Sequence, residues 1–482
     1  MEQKLYEIKM GPAKCAVDLG DGSERGEYVN QDYILHKLGR PHRAISLMYC
    51  YYPLDKTWPV RARYAFADQE VAFQWDYPYD DYFPYEGGIG GTTKGEPFTC
   101  MKDVRRHGQD VILTMTIDPN LPDEFLVRIA QELRTYGRMQ LRINHEATGN
   151  WFSFTKRVDG DYKRIADFYI RFHNILKKEA PNVSTILCIG GIEHPEKGEI
   201  EMEKEFAEAV KATDIWSVDK YMSLHWGWPY DVAEEGGTSF SRSKVADTYN
   251  LTKLSEKRYK EICGGVKKPM VMSEFNADGD VTGPYDQAAM IKEFCDLLKN
   301  DPEQGWFSGF TFYQFRDRGR LGLEIEDPNN ADVGIEQPAM QTYKEIIHDD
   351  YFYPSMEQGA EVTLPATLRW GGSEDAIGLA IPLHFESNPV FCEVYFDEPV
   401  NLMMEINGKW FYKSPEAKCI DLMSAFFEKP LDGAADMTLK IFAPPASGEN
   451  DPSQGEDWQT NYYQTITKMP NIRIRFAPII KG

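Results

Sequence analysis

Val111-Ile112-Leu113-Thr114-Met115-Thr116-Ile117 is an apolar, β-branched run that stops at Asp118-Pro119, and after Pro122 the apolar residues change spacing to Leu126, Ile129, Ala130 and Leu133 before Gly137. A short strand, a helical stripe and a glycine where the helix would end make one β–α unit. The next apolar run, Met139 to Asn144, follows that glycine almost at once. A strand that returns to its sheet through a helix is parallel to the strand before it, so the unit predicts a parallel sheet covered by helices.

The same rhythm extends outward. Ile165, Ala166, Tyr169, Phe172 and Leu176 form a helical stripe ending at Lys177, Lys178 and Pro181, and Val183–Ile189 reads as a buried strand. Met202, Phe206, Ala209 and Val210 mark the next helix, Ile215–Tyr221 a strand, and Tyr249–Ile262 a further helix. Pro269–Ser273, a helix through Ala288, Ile291, Cys295 and Leu298, Phe307–Phe315 and a last helix over Pro338–Ile347 complete the series. With Ala44–Cys50 and an element near Val71–Trp75 the strands number eight, as an α/β fold of the closed (β/α)8 TIM-barrel type requires. An open doubly wound sheet is the alternative, but it calls for a glycine-rich phosphate turn after its first strand, and none is present.

Beyond Tyr353-Pro354 the texture becomes all-β. Leu368–Trp370, Ile377–Ile381, Val390–Phe396, Leu402–Ile406 and Met437–Phe442 are short alternating runs between Gly, Pro and Asp turns, and Pro444–Trp458 reads as a long loop. The expected division is a catalytic barrel over residues 1–354 and a C-terminal β-sandwich over 355–482. Trp370 and Trp410 fall inside strand patterns, which favours buried packing against the barrel over a sugar-binding surface.

Composition narrows the function. The 76 acidic against 53 basic residues give a net charge of −23, which repels phosphate backbones and acidic membrane surfaces, so neither nucleic acid nor membrane is expected as a partner. Aromatics reach 13% and many stand beside carboxylates, as in Trp75-Asp76-Tyr77-Pro78-Tyr79-Asp80-Asp81-Tyr82, a mixture that suits a carbohydrate partner. The 8 cysteines are scattered with no C-x-x-C pair, and the 9 histidines are mostly isolated, so no metal site and no cofactor is expected. Glu2, Lys4, Glu7 and Lys9 replace the apolar run of a signal peptide, so the chain as it stands reads as cytoplasmic, although one trimmed after an export signal would look the same. No oligomeric state follows from the sequence.

Barrel enzymes place their chemistry at the C-terminal ends of strands, and two ends carry polar residues that packing does not require. The fourth strand runs Leu141-Arg142-Ile143-Asn144-His145-Glu146, and the seventh Met270-Val271-Met272-Ser273-Glu274-Phe275. Glutamates on these two strands face each other across the barrel mouth. Retaining glycosidases need such a pair, one carboxyl to protonate the leaving oxygen and one to attack the anomeric carbon. Trp151 and Phe152 would shield the acid, His225, Trp226 and Trp228 after the sixth strand would form a sugar platform, and Trp306 and Tyr313 around the eighth would line subsites.

Arg142-Ile143-Asn144-His145-Glu146-Ala147-Thr148-Gly149-Asn150-Trp151-Phe152 resembles the acid/base motif of glycoside hydrolase family 26, which contains β-mannanases and belongs to clan A. Val218-Asp219-Lys220-Tyr221 and Lys268-Pro269-Met270-Val271-Met272-Ser273-Glu274 are similar in order to later segments of that family. The resemblance spans roughly residues 100–320 and implies Glu146 as acid/base and Glu274 as nucleophile. It also implies His145 and Tyr221 as supporting residues near the sugar, while Arg142 and Asn144, costly polar groups at the end of an apolar strand, are expected from their position to bind substrate. Ala147-Thr148 stands where the family usually has Met-Asn, so the clan is the firmer expectation and β-mannan only one candidate substrate. Two other readings stay open: a catalytically silent carbohydrate-binding barrel, and a clan A exo-glycosidase with another sugar preference. A metal-dependent hydrolase would need a histidine–carboxylate cluster that the sequence does not offer.

Overall fold

A computed structural model describes residues 4–20, 29–56, 58, 83–148, 162–190, 192, 200–222, 245–317, 321–371, 376–450 and 457–478. Its strands begin with β1 (Leu5–Met10) and continue with β2 (Ala16–Gly20), β3 (Ala44–Tyr51), β4 (Asp110–Ile117), β5 (Met139–Ile143), β6 (Val183–Cys188), β7 (Ile215–Met222), β8 (Met270–Ala277) and β9 (Gly309–Phe312). Strands β2 to β9 are parallel and close into a barrel in sequence order. Each is followed by a helix: Gln31–Leu38, Phe98–Arg106, Asp123–Leu133, Tyr162–Glu179, Ile200–Ala212, Val245–Ile262, Pro284–Asn300 and Pro338–Ile347. The fold is a TIM barrel.

Parallel strands with helices outside and packed side chains inside are covered on both faces, and β4 accordingly shows no alternation: all its residues are buried. The expected second strand, Val71–Trp75, lies outside the described residues, and the barrel closes without it. Its first strand is Ala16–Gly20, which a sequence reading passes over because five residues containing Asp18 and Gly20 carry little strand signal. The helix after it is well marked: Asn30 accepts the Tyr33 N–H at 2.9 Å, and Gly39, at φ +79°, ends the helix by returning its N–H to Leu35.

The C-terminal part consists of antiparallel sheets, one of eight strands and one of three, the latter formed by Pro389–Tyr395 between Cys419–Asp421 and Asn471–Phe476. Leu379, Leu383, Phe385, Leu402 and Met404 of the larger sheet share one core with Cys392, Val394, Ile472 and Ile474 of the smaller. Strand β1 belongs here rather than to the barrel. It pairs antiparallel with both Met356–Val362 and Ala376–Phe385, so the chain's first strand is an interior strand of its last sheet.

The two parts meet through tryptophans. Trp370 and Trp410 are buried with Ile8, Leu35, Met403 and Phe442, and Trp410 gives its backbone N–H to Gly39 and its indole N–H to the Tyr353 hydroxyl at 2.7 Å. Gly108, at φ +75°, admits the Trp370 ring where a Cβ would come within 2.9 Å of it. Asn401 donates to the Arg106 carbonyl at 2.8 Å, the Asn450 N–H bonds the Thr135 carbonyl, and Trp458 lies against Arg134. Among the described residues no helix is long and apolar enough to cross a membrane.

Because β1 supplies an interior strand, residues 355–482 expressed alone should be insoluble or lack cooperative unfolding. The same fragment carrying residues 4–11, fused so that they reach between their two partner strands, should regain strand-rich circular dichroism. A well-folded fragment without β1 would contradict this account.

Candidate active site

Arg142 sits on β5, buried to 1% exposure, and its guanidinium joins two carboxylates from neighbouring parts of the barrel. Nη1 donates to Glu274 Oε1 at 2.6 Å, and Nη2 is ion-paired with Asp219 Oδ2. The pairing of β7 with β8 slips at Val218–Asp219, skipping Ser273, so that Asp219 stands directly opposite Glu274. Irregularities of this kind re-aim side chains, and here both carboxylates turn toward one cation. Tyr221, also on β7, donates its hydroxyl to Glu274 Oε2 at 2.7 Å. Each Glu274 oxygen therefore accepts a fixed donor.

One guanidinium serves two buried carboxylates, and the charge distributes unequally. Burial pushes the Asp219 carboxyl well above its usual range, and the negative fields of Glu274 and Glu146 push in the same direction against Arg142. Burial also opposes ionisation of Glu274, but Arg142 and the Tyr221 hydroxyl outweigh it and hold Glu274 below the ordinary value. The cluster thus keeps an ionised Glu274 beside an Asp219 that takes a proton more readily. Burial, helped by the positive Arg142, lowers His145 to about 3, so its ring is neutral at pH 7.

Just past β5 the chain bends sharply. Asn144 and Glu146 both adopt φ +48°, left-handed conformations that side chains other than glycine rarely take. Asn144 is suited to this by its amide, which replaces strand pairing: Oδ1 accepts the Ile117 N–H at 2.7 Å and Nδ2 donates to the Ile117 carbonyl at 3.1 Å. On the other side the Ala147 N–H bonds the Cys188 carbonyl at 3.0 Å, and Thr148 Oγ1 accepts the Gly190 N–H at 2.9 Å. Clamped between the ends of β4 and β6, Glu146 is presented half-buried at the rim, with its charge felt by Asp219 and Cys188. The strained backbone is over-determined by these bonds, as is common where a side chain has a chemical task.

Of the residues expected from sequence, Arg142, His145, Glu146, Tyr221 and Glu274 gather here. Tyr313, beyond the end of β9, packs its ring edge-to-face on Tyr221 with centroids 6.1 Å apart. Three expectations are corrected. Asn144 is a backbone clamp, both ends of its amide being bonded to Ile117, and Arg142 is committed to the two carboxylates, so neither is placed as a direct sugar ligand. Trp306 is not at the site: it precedes β9, at the N-terminal end of the strands, where it is buried beside Tyr249 and Phe307 and donates to Asp301 at 3.2 Å. Trp151, Phe152, His225, Trp226 and Trp228 lie outside the described residues. Asp118 caps its own loop by accepting from Asn120 at 2.9 Å. Asp219 was given no role by sequence; its signal was a charged residue inside the otherwise apolar start of Ile215–Tyr221. Among the described residues no group of three or more His, Cys, Asp or Glu side chains is placed to hold a metal ion.

No family model matches the chain, and no curated protein matches it. Its structure is similar to those of glycoside hydrolases. A modular endo-β-1,4-mannanase from Cellulomonas fimi, described with the family 26 mannanases, is 11% identical over 88% of this chain and 93% of its own, with a TM-score of 0.43. A family 51 α-L-arabinofuranosidase from Bifidobacterium longum is 11% identical over 90% and 97%, also at 0.43. A monomeric β-xylosidase from Caulobacter crescentus is 11% identical over 90% and 97%, at 0.40. These values are too low for a shared activity to follow from them.

Arg142→Met leaves Glu274 and Asp219 buried without their cation, and should lower stability at pH 7 by about 3–5 kcal/mol in denaturant titrations. With Arg142 gone both carboxyls titrate at higher pH in the folded protein, so acid relieves the defect by protonating them. The gap to wild type should therefore narrow as pH falls from 7 toward 5. A gap that is constant with pH would show that the guanidinium does not hold these charges.

Proposed function

We propose that the protein is a retaining O-glycoside hydrolase acting on a β-linked oligosaccharide or polysaccharide, with Glu274 as nucleophile and Glu146 as acid/base. The observation that carries this reading is the double anchoring of Glu274: an ionised carboxylate, fixed at both oxygens by Arg142 and Tyr221, at the mouth end of β8. A nucleophile needs a charged, oriented oxygen, and a merely structural glutamate has no need of a barrel-mouth position. Glu146 complements it as a second, half-exposed carboxyl on the strand across the barrel.

In the first step a Glu274 oxygen forms a bond to the anomeric carbon as the glycosidic bond breaks, and the Glu146 proton passes to the departing oxygen. In the second, Glu146 as carboxylate takes a proton from water, whose oxygen attacks the same carbon and releases Glu274. Two inversions leave the configuration retained. Arg142 and Asp219 act as positioning residues for Glu274, and Tyr313 supports Tyr221. The aromatic and acidic composition and the family 26-like segment around Glu146 favour a β-glycan, with β-mannan the first polymer to try.

A panel of plant and algal polysaccharides, read by product size, identifies the substrate and the mode of cleavage. On that substrate Glu274→Ala should abolish turnover while leaving binding intact. Glu146→Ala should lose about 10²–10⁴-fold with a poor leaving group, recover much of the rate on aryl glycosides whose leaving group needs no proton, and be accelerated by azide. Full activity of Glu274→Ala would reject the assignment. Binding across the panel without any cleavage would instead favour a silent carbohydrate-binding barrel.

A further inference from the structure

At the opposite end of the barrel the strands begin around a chamber of about 500 Å³, roofed by the C-terminal sheet. Its barrel side is formed at Ala16, Asp110, Ile215 and Ser308, where β2, β4 and β7 start and β9 is about to, and its roof includes Trp370, Ala376 and Trp410. Barrel strands rise about 3.3 Å per residue, so the chamber wall at Val271 lies roughly 10 Å below Glu274 along β8, and the wall at Gln140 at most roughly 20 Å from Glu146. The space is partly open, with Pro12, Arg138 and Ser308 exposed at its edge. Packing defects inside a domain are seldom larger than a water molecule, whereas sites for small molecules are clefts or cavities of roughly 300–1,000 Å³. The chamber belongs with the second group.

Its walls have a definite chemistry. Three guanidiniums, Arg40, Arg43 and Arg138, face one carboxylate, Asp110, in a protein whose net charge is −23. Asp110 is already doubly engaged, by Arg105 at 2.7 Å and Arg138 at 2.6 Å. Arg43 is ion-paired through Nη2 with Asp18, while its buried Nε has no hydrogen-bond partner. Arg40 is 3% exposed and bonds only main-chain carbonyls, Pro41 at 3.0 Å, Phe352 at 3.2 Å and Ile347, with its guanidinium over the Tyr353 ring. Among the described residues no carboxylate pairs with it. Beside this excess positive charge stand flat and branched apolar walls, Trp370, Trp410, Ile215 and Val271. A buried cation without a counter-charge is costly, and an anion entering the chamber relieves that cost.

We infer that the chamber is a second binding site, separate from the barrel mouth, for a small organic anion: a carboxylate carried on a flat apolar body. The carboxylate lies against Arg43 and Arg40, and the body packs between the tryptophans and the strand starts. This inference does not depend on the glycosidase reading.

Benzoate is the probe and benzamide its uncharged counterpart, titrated into the full-length protein by calorimetry and ligand-observed NMR. Benzoate should bind saturably and benzamide at least about tenfold more weakly, the factor that one lost charge contact of about 1.4 kcal/mol produces. Arg43→Gln should weaken benzoate by a similar factor. Ser308→Phe, at an exposed side chain of the chamber wall, should fill the space and abolish binding while preserving the thermal transition, which guards against a variant that merely misfolds. Absence of saturable benzoate binding, equal binding of benzamide, or unchanged binding in Ser308→Phe would each overturn the inference and leave a hydrated void between domains.

Discussion

The pairing of β2 with β9 closes the barrel, and most of what the molecule can do depends on that closure. It is made by short strands, four or five residues each, in the register Ala16–Gly309 through Leu19–Phe312, and Gly309 is required there because a Cβ would lie 2.6 Å from the Ala16 carbonyl oxygen. Without closure, β5 and β8 would not face each other. With it, the C-terminal ends of the strands gather Arg142, Glu146, Asp219 and Glu274, while the N-terminal ends gather Arg43, Asp110 and Arg138 beneath the second sheet. Opposite ends of one barrel thus acquire opposite electrostatic character, carboxylate-rich at the mouth and guanidinium-rich at the floor.

At the mouth the deciding quantity is charge stoichiometry. Two buried carboxylates share one guanidinium, and a third carboxyl, Glu146, acts on Asp219 from the rim. Full ionisation of all three in a poorly solvated space is unfavourable, so the negative charge settles where donors are best arranged, on Glu274 between Arg142 and Tyr221. This explains why the barrel tolerates so polar a cluster in its interior. Each charge is matched to a donor or relieved by a proton, and the backbone bend at Asn144–Glu146 is held by hydrogen bonds from both sides.

Much of this was legible in sequence, and the remainder was not for identifiable reasons. Long apolar runs such as Val111–Ile117 and stripes such as Ile165–Leu176 announce their elements because burial on a regular period leaves a pattern. The prominence of Glu146 and Glu274 followed from their places at strand ends. Ala16–Gly20 left too few residues to show a pattern, and β1 finds its partners some 350 residues later, a pairing that local sequence cannot encode. Asp219 was visible only as a charge inside a strand, because its partner Arg142 depends on inter-strand register. Trp306 misled for a related reason: an aromatic next to the eighth strand reads the same at either end, and only the fold puts it on the face away from the site. The floor chamber is the furthest from view, since Arg40, Arg43 and Arg138 each resemble solvated loop residues, and only the fold brings them to one cavity, where Arg40 is buried, Arg43 half-buried and Arg138 exposed.

The account's central claim is that Glu274 attacks carbon as an ionised, doubly anchored nucleophile and Glu146 handles the proton. The stereochemistry of the first-formed product tests it most directly. Proton NMR of the anomeric signals, recorded within the first minutes of hydrolysis and before mutarotation, should show a β-linked substrate released as the β-hemiacetal. Initial appearance of the α-anomer would mean a single displacement by water, and would contradict the role given to Glu274.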